Sequence, residues 1–161
     1  MKILGLVALL SLIALPALAQ NAEQVARVEG GASCPHCNIF QVNLNNKQAS
    51  DRDFAGARMR QADFSLSVFK RDDFHGADLR DVNGYGALFT NANMSGANLT
   101  NATFVGAYLE GTNFRGATLD GVNFAGAEMD KAVGLTQRQL DRACGDDTTK
   151  LPKGLRLPTC K

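Results

Sequence analysis

Hydrophobic and polar residues follow one another along this chain with a period of five residues. From Ala87 the sequence reads ALFTN ANMSG ANLTN ATFVG AYLEG TNFRG ATLDG VNFAG AEMDK, and the same frame extends back to Cys37. In each unit the first residue is usually small, the third is large and apolar, and the others are mostly polar. Neither the 3.6-residue period of a helix nor the two-residue period of a strand produces this pattern.

Nineteen such units run from Cys37 to Lys131. The third position is Phe, Leu, Met or Ile in 17 of the 19 units, and the exceptions are Ala49 and Gly84. Tyr85 is the candidate to fill the gap that Gly84 leaves. The second position favours Asn and Asp and the fifth favours Gly and Asn, which are turn-forming residues. A corner every five residues returns the chain to its starting direction after four units, which predicts a stacked coil of 20 residues.

Stacking places residues 20 apart in one column, so the large positions form ladders inside the coil. Backbone groups of successive coils then pair at strand spacing, about 4.8 Å. Eight of the nine Phe residues belong to these ladders, which indicates core packing and not a cofactor site. The four ladders are Ile39, Met59, Leu79, Leu99 and Leu119; Leu44, Phe64, Gly84, Phe104 and Phe124; Ala49, Phe69, Phe89, Leu109 and Met129; and Phe54, Phe74, Met94 and Phe114.

The A-[DN]-[LF]-x-x pattern resembles the pentapeptide repeat family, and the resemblance covers the 95 residues from Cys37 to Lys131. The family implies an all-β solenoid, a right-handed quadrilateral parallel β-helix with the small and large positions inside. At 20 residues a coil, residues 37–131 make about five coils. The sequence after Lys131 also resembles the C-terminal extension of exported bacterial pentapeptide proteins.

Residues 1–19 have the features of a secretory signal peptide. Lys2 is followed by an apolar run from Ile3 to Leu15, and Ala17-Leu18-Ala19 predicts cleavage after Ala19. A retained anchor is the alternative, but the run is short for a membrane span. Export predicts a periplasmic or secreted protein that has no membrane attachment after cleavage. In such an oxidising compartment an even number of cysteines predicts disulfides.

The ends of a β-helix need caps, because an open end exposes unpaired strand edges. Residues 20–36 are the predicted N-terminal cap, with a short helix that starts at Asn21 and ends before the two glycines at 30 and 31. Residues 132–161 are the predicted C-terminal cap and tail. Within them Thr136 and Gln139 have the spacing of a capping box, which predicts a short helix over 137–144.

Four cysteines allow three disulfide connectivities. We expect Cys34–Cys37 and Cys144–Cys160, because these pairs lie at opposite ends of the predicted rod. The second bond closes a loop with 15 residues between the cysteines, which is worth about 3 kcal/mol in the chain-entropy model. In the repeat frame Cys37 holds a small inward position, whereas Cys34 is expected in the lead-in segment.

The chain without its signal peptide carries 16 basic and 16 acidic residues and is neutral. A neutral chain gives no electrostatic argument for a nucleic-acid partner. Arg52 and Asp72 occupy small inward positions 20 residues apart, and therefore one column. We predict that they face each other as an ion pair, because burying either charge alone is costly.

One corner of the predicted coil has apolar residues at outward positions on three consecutive coils. Patches of this kind mark interaction surfaces, so we predict a contact with an unidentified protein or with a second copy of the chain. The alternative is that a terminal segment of the same chain lies across the patch. The patch, called the apolar corner below, consists of Leu66, Val68, Tyr85, Leu88, Val105 and Tyr108.

The sequence predicts no catalytic, cofactor-binding or metal-binding site, so we expect a non-catalytic exported scaffold and not an enzyme. The first alternative is a thiol-disulfide redox protein that uses Cys34 and Cys37, although no βαβ pattern surrounds them. A metal site at these cysteines and His36 lacks the second C-x-x-C of a strong zinc pattern. Some pentapeptide proteins are acidic DNA mimics that inhibit topoisomerases. A neutral exported chain lacks the negative electrostatic potential that such mimicry needs.

Overall fold

The computed structural model describes residues 20–161, and the predicted signal peptide, 1–19, lies outside the described residues. This part of the chain forms, in order, helix α1 (Ala22–Glu29), strand β1 (Gln48–Ser50), strand β2 (Val68–Lys70) and helix α2 (Gln137–Leu140). Most of the remaining repeat region consists of single β-bridges between turns, because a side of five residues is too short for a longer strand. No helix within residues 20–161 is long and apolar enough to cross a membrane.

The repeat region is a stack of coils joined by parallel bridges between residues 20 apart. The first bridge joins Asn38 to Arg58, and the same offset continues to Val133. The connecting hydrogen bonds are regular, as in the Thr118 N–H, which donates to Ala97 O at 2.9 Å. The structure is therefore a parallel β-helix with a 20-residue coil, which is the repeat that the five-residue period predicts.

Each corner of the coil is a tight turn that the outward residues support. At one such corner the Ala97 N–H donates to Met94 O at 3.1 Å, and Gly96 between them has φ 66°. Glycine and asparagine tolerate this left-handed conformation best, which explains their preference for the fifth position. The second position accepts the hydrogen bond that starts the turn, since the Thr100 N–H donates to Asn98 Oδ1 at 3.1 Å.

Eight phenylalanine side chains form a continuous apolar core along the axis, and none of them is more than 1% exposed. Rings one coil apart stack: Phe54 and Phe74 have centroids 5.3 Å apart, and Phe69 and Phe89 have centroids 5.1 Å apart. Offset stacking of this kind adds to the stabilisation that apolar burial supplies. The ladders of large residues are thus the core of the protein.

The space beside Gly84 is filled by Phe104, the next residue up its ladder, and not by Tyr85. A Cβ on Gly84 would lie 2.7 Å from two carbons of the Phe104 ring. Phe104 meets Phe89 edge-on, with centroids 5.5 Å apart, whereas Tyr85 is 55% exposed. Tyr85, the candidate from the sequence, therefore does not fill the gap. A tilted core ring fills the space without burying a hydroxyl group, which Tyr85 would have to do.

The coil begins one unit earlier than the sequence analysis places it. The Cys34 N–H donates to Asp53 O at 2.8 Å, and the His36 N–H donates to Ala55 O at 2.8 Å, as in later units. Cys34 consequently occupies the large inward position below Phe54 and does not belong to a lead-in segment. The first corner of the coil therefore lies between the two cysteines of the C-x-x-C motif.

Helix α1 closes the N-terminal end of the coil. Its N-cap is Asn21, whose side chain accepts from the Gln24 N–H at 3.0 Å, and it ends at Gly30. Gln24 Oε1 in turn accepts from the Asn38 N–H of the first coil at 2.8 Å. Val28 is fully buried and joins the core. The helix therefore supplies both polar partners and apolar cover at this end.

Helix α2 is one turn long, Gln137–Leu140, and not the predicted 137–144. Its predicted capping box is present. The helix ends early because the chain must rejoin the coil: Cys144 already bridges Asn123 in parallel. Leu140 is fully buried, so one helical turn takes the place of one side of the coil.

The C-terminal end is closed by polar contacts and by the tail. Gln139 Nε2 donates to Phe114 O at 2.9 Å and to Ala117 O at 2.8 Å, so two carbonyls at the end of the coil have a donor. Beyond α2, the Cys160 N–H donates to Gly145 O at 2.9 Å. The tail thus pairs with the last part of the coil and covers its edge.

Candidate interaction surface

The apolar corner is the main exposed apolar feature of the described residues. Four of its side chains are exposed, and Val68 and Val105 are half-buried. The exposed fractions are 54% for Leu66, 55% for Tyr85, 37% for Leu88 and 46% for Tyr108. Within residues 20–161 the one other exposed large hydrophobic residue is Val133, at 50%.

The register of the coil aligns the apolar corner into one surface. Val68 bridges Leu88 and Leu88 bridges Tyr108, all in parallel, so their outward side chains form one column. Beside this column Leu66 lies flat against the next coil, where a Cβ on Gly86 would come within 3.0 Å of Leu66 Cδ2. The absence of a side chain at Gly86 therefore lets the patch continue from one coil to the next.

Neither terminal segment covers the apolar corner in the described residues. The exposed fractions above are those of the structure that includes helix α1 and the tail to Lys161. Helix α1 contacts Asn38 at the N-terminal end, and the tail pairs with Gly145 at the other end. The alternative that a terminal segment lies across the corner is therefore wrong for residues 20–161.

Balanced ion pairs border the C-terminal end of the apolar corner. The column continues from Tyr108 to Glu128 and then to Lys150, and the Lys150 Nζ to Glu128 Oε1 distance is 2.9 Å. Nearby, Lys131 Nζ lies 2.6 Å from Glu110 Oε1. These hydrogen bonds raise the pKa of both lysines. Because each of these charges has a partner, the exposed surface of this corner is apolar more than charged.

The predicted ion pair between Arg52 and Asp72 is wrong. Asp72 is fully buried, and its Oδ1 accepts from the Arg52 backbone N–H at 3.0 Å. The Arg52 guanidinium instead donates to Gln48 O at 2.7 Å and lies beside Gly31. The long arginine stem carries its charge out of the small inward position to the Gln48 carbonyl. The short Asp72 side chain stays inside.

Asp72 is a buried carboxyl with an unsatisfied oxygen, since its Oδ2 has no hydrogen-bond partner. Burial raises the pKa of Asp72 from 3.8 to about 6, and the hydrogen bond and charge of Arg52 oppose that rise only in part. Asp51 and Arg71 form an exposed ion pair at 2.5 Å nearby. Because Asp72 does not reach the surface, it affects stability and contacts no partner.

Disulfides join Cys34 to Cys37 and Cys144 to Cys160. Cys34 is 1% exposed and Cys37 is 4% exposed. Thiol-disulfide exchange requires an accessible sulfur and thiolate, so this burial does not favour the redox alternative. His36 is exposed, and its imidazole lies against Gly56. The disulfide also uses both thiolates that the metal-site alternative needs.

A cavity of about 180 Å³, which the five-residue period does not predict, lies on another side of the coil. One feature of the sequence could have indicated this cavity: Phe40 is the one phenylalanine outside the four ladders, and so the one that points outward. The residues that line the cavity are Phe40, Arg58, Arg60 and Gln61.

Comparisons with known proteins agree with this architecture. The sequence profile described as Pentapeptide repeats matches eight copies, within residues 53–83, 73–106 and 97–133. No curated protein matches the chain.

Three solved structures illustrate the likeness. A pentapeptide repeat protein from the Arabidopsis thaliana thylakoid lumen is 26% identical over 61% of this chain and 75% of its own, with a TM-score of 0.40. Rfr23 from the cyanobacterium Cyanothece 51142 is 21% identical over 80% of this chain and 97% of its own, with a TM-score of 0.43. A trypsin-treated variant of QnrB1, a plasmid-mediated fluoroquinolone resistance protein, is 19% identical over 80% of this chain and 86% of its own, with a TM-score of 0.39.

The profile matches together span residues 53–133, just over half of the 161-residue chain. They fall on the units whose third residues build the core ladders. The 20-residue parallel register found here is that of a four-sided coil. This chain belongs to the pentapeptide repeat family.

Proposed function

We propose that this protein is a non-catalytic, exported scaffold that binds another protein through its apolar corner. The observation that carries the proposal is the exposure of four large apolar side chains at one corner. Exposed apolar patches of this kind are typical of protein contacts, and tyrosine is enriched at such interfaces. Two of the four exposed side chains are Tyr85 and Tyr108.

The scaffold that presents this corner is a rod of about five coils, with helix α1 at its N-terminal end and helix α2 and the tail at its C-terminal end. Its rigidity supports the proposal, because each coil bonds to the next throughout and holds the outward column in register. A preformed surface loses little conformational freedom when a partner binds.

Export to the periplasm or the outside of the cell is supported by two features. Residues 1–19 have a signal-peptide pattern, and the four cysteines form two disulfides, which persist in oxidising compartments. The neutral chain favours a protein over a nucleic acid as partner, and the same neutrality speaks against DNA mimicry. A second copy of this chain is a partner of the same apolar kind.

The test compares two single substitutions that introduce the same charge at equivalent repeat positions. Tyr108→Asp changes the apolar corner, whereas Thr118→Asp changes an exposed second-position residue on another side. Both variants should keep the thermal unfolding midpoint of the natural protein, because both sites are exposed. In captures from periplasmic extract, Tyr108→Asp should lose partners that Thr118→Asp retains, since a buried unpaired charge costs binding energy.

A double variant, Leu88→Asp with Tyr108→Asp, strengthens the same test. Sedimentation of the natural protein and the double variant at several concentrations separates self-association from binding to another protein. If the double variant captures the same proteins and sediments identically, the apolar corner is not the interaction surface.

A further inference from the structure

The cavity missed by the sequence analysis lies on a different side of the coil from the apolar corner, so it is a separate surface. Arg58 and Arg60 are the second and fourth residues of one side and both are exposed. Alternate residues of an extended side point the same way, with Cα atoms about 7 Å apart. Phe40 lies one coil below Arg60 in the same column, and Gln61 follows at the corner.

Every polar group that lines this cavity is a hydrogen-bond donor. A guanidinium has five N–H donors and no acceptor. Gln61 Oε1 already accepts from Gln41 Nε2 at 2.9 Å, which leaves the Gln61 amino group free to donate. The cavity therefore matches a ligand that carries acceptors, and two positive charges make an anion the best match.

Neither guanidinium forms a hydrogen bond or an ion pair with residues 20–161. The nearest carboxylate in the column belongs to Asp78, which bridges Arg58 from the next coil. Asp78 is held instead by Arg80, with distances of 2.7 Å from Nε to Oδ1 and 2.6 Å from Nη2 to Oδ2. Burial raises the pKa of Asp78, but the hydrogen bonds and charge of Arg80, with a smaller effect of the Arg60 charge, lower it below its ordinary value. Arg58 and Arg60 thus stay available to an external anion.

Phe40 is the one apolar residue that lines the cavity, and its presence restricts the class of anion that fits. Phe40 is half-buried and presents part of its ring to the cavity. A bare inorganic anion would contact the arginines but leave this ring in water. The volume of about 180 Å³ is below the 300 Å³ of a small drug site, so it suits one small apolar group.

We propose that this cavity binds an organic carboxylate that carries an apolar group, with the carboxylate on Arg58 and Arg60 and the apolar group on Phe40. The inference is independent of the apolar corner and of any protein that binds there. Two sources share this chemistry: the last residue of a polypeptide chain, and a free small carboxylic acid.

The test uses N-acetylphenylalanine as the probe, with amide chemical shifts of the purified protein as the readout. Saturable shifts are expected at residues 58–61 and at Phe40. The amide of the same compound, which lacks the negative charge, should bind at least about tenfold more weakly. Acetate should also bind more weakly than N-acetylphenylalanine, because it lacks the apolar group. A tetrapeptide that ends in phenylalanine distinguishes the sources: equal or tighter binding indicates a chain terminus, and exclusion indicates a small acid.

The matched variants are Arg58→Gln with Arg60→Gln, and Arg115→Gln as the control. Arg115 is an exposed fourth-position arginine on another side of the coil. All variants should unfold at the same temperature as the natural protein, because the three side chains are on the surface. The double variant should lose at least about tenfold in affinity, and Arg115→Gln should lose none. Absence of saturable shifts, equal binding of the amide, or equal loss in the control would overturn the proposal.

Discussion

Substitution of Asp72 by Asn gives a direct measure of what a buried carboxyl does inside a β-helix. Asp72 is fully buried and its Oδ2 has no hydrogen-bond partner. Asn has nearly the same shape but stays neutral at every pH. Its oxygen keeps the acceptor for the Arg52 N–H, and its amino group takes the place of Oδ2. The substitution therefore removes the charge and little else.

The magnitude follows from the pKa of Asp72, which burial raises from 3.8 to about 6. The folded protein then holds this proton more tightly than the unfolded chain does. The free energy of unfolding consequently falls as the pH rises from about 3.8 through about 6, and it stays low above that range. The full loss is about 3 kcal/mol, since each tenfold change in proton affinity is worth about 1.4 kcal/mol.

The assay is urea unfolding of the natural protein and the Asp72→Asn variant at several pH values, with both disulfides intact. The stability advantage of the variant should grow by about 2 kcal/mol between pH of about 4 and about 8. Asp147→Asn is the control, because Asp147 is an exposed carboxyl away from the core, and this variant should be about as stable as the natural protein at each pH. A difference for Asp72→Asn that does not change with pH, or that reverses sign, would show that burial does not raise the pKa of Asp72 in the folded protein.

Three further substitutions test the packing and the caps. Gly84→Ala should lower the free energy of unfolding by about 1–3 kcal/mol, because the new Cβ comes within 2.7 Å of a core ring; an unchanged urea midpoint would mean that the ring moves aside freely. Replacing Cys144 and Cys160 by Ser should cost about 3 kcal/mol and speed hydrogen exchange in the tail, whereas unchanged exchange would show that other contacts hold the tail. Gln139→Ala should cost about 1–2 kcal/mol because Ala117 O loses its donor and the capping box of helix α2 is lost; a thermal midpoint no lower than that of the exposed-site control Arg138→Ala would contradict this.

The five-residue period predicts the core well because it decides which side chains point inward and which share a column. It does not decide how a long or charged side chain leaves its column. Arg52 and Asp72 share a column as expected, yet the stem of Arg52 is long enough to carry its charge out to the Gln48 carbonyl. The period also leaves open which neighbour fills the gap at Gly84, since that depends on ring tilts and not on residue order.

The ends of the rod were less predictable because the repeat pattern weakens there. Cys34 and its neighbours continue the coil through backbone hydrogen bonds, which any residue can make. The sequence did contain a sign of this earlier unit, because Ala32 is at the small position and Cys34 is at the large position of the same five-residue frame. At the other end the capping box predicts where helix α2 starts, but the return of Cys144 to the coil decides where it ends.

The 20-residue offset between bridged residues also determines which changes in length this chain tolerates. Insertion or deletion of 20 residues within the rod leaves every later residue in its original column, so the ladders remain continuous. A change of five residues keeps the local sequence pattern but turns all later coils by a quarter of a revolution. Between Leu88 and Tyr108, such a change would divide the apolar corner between two sides. Variation in length that preserves this surface therefore comes in whole coils.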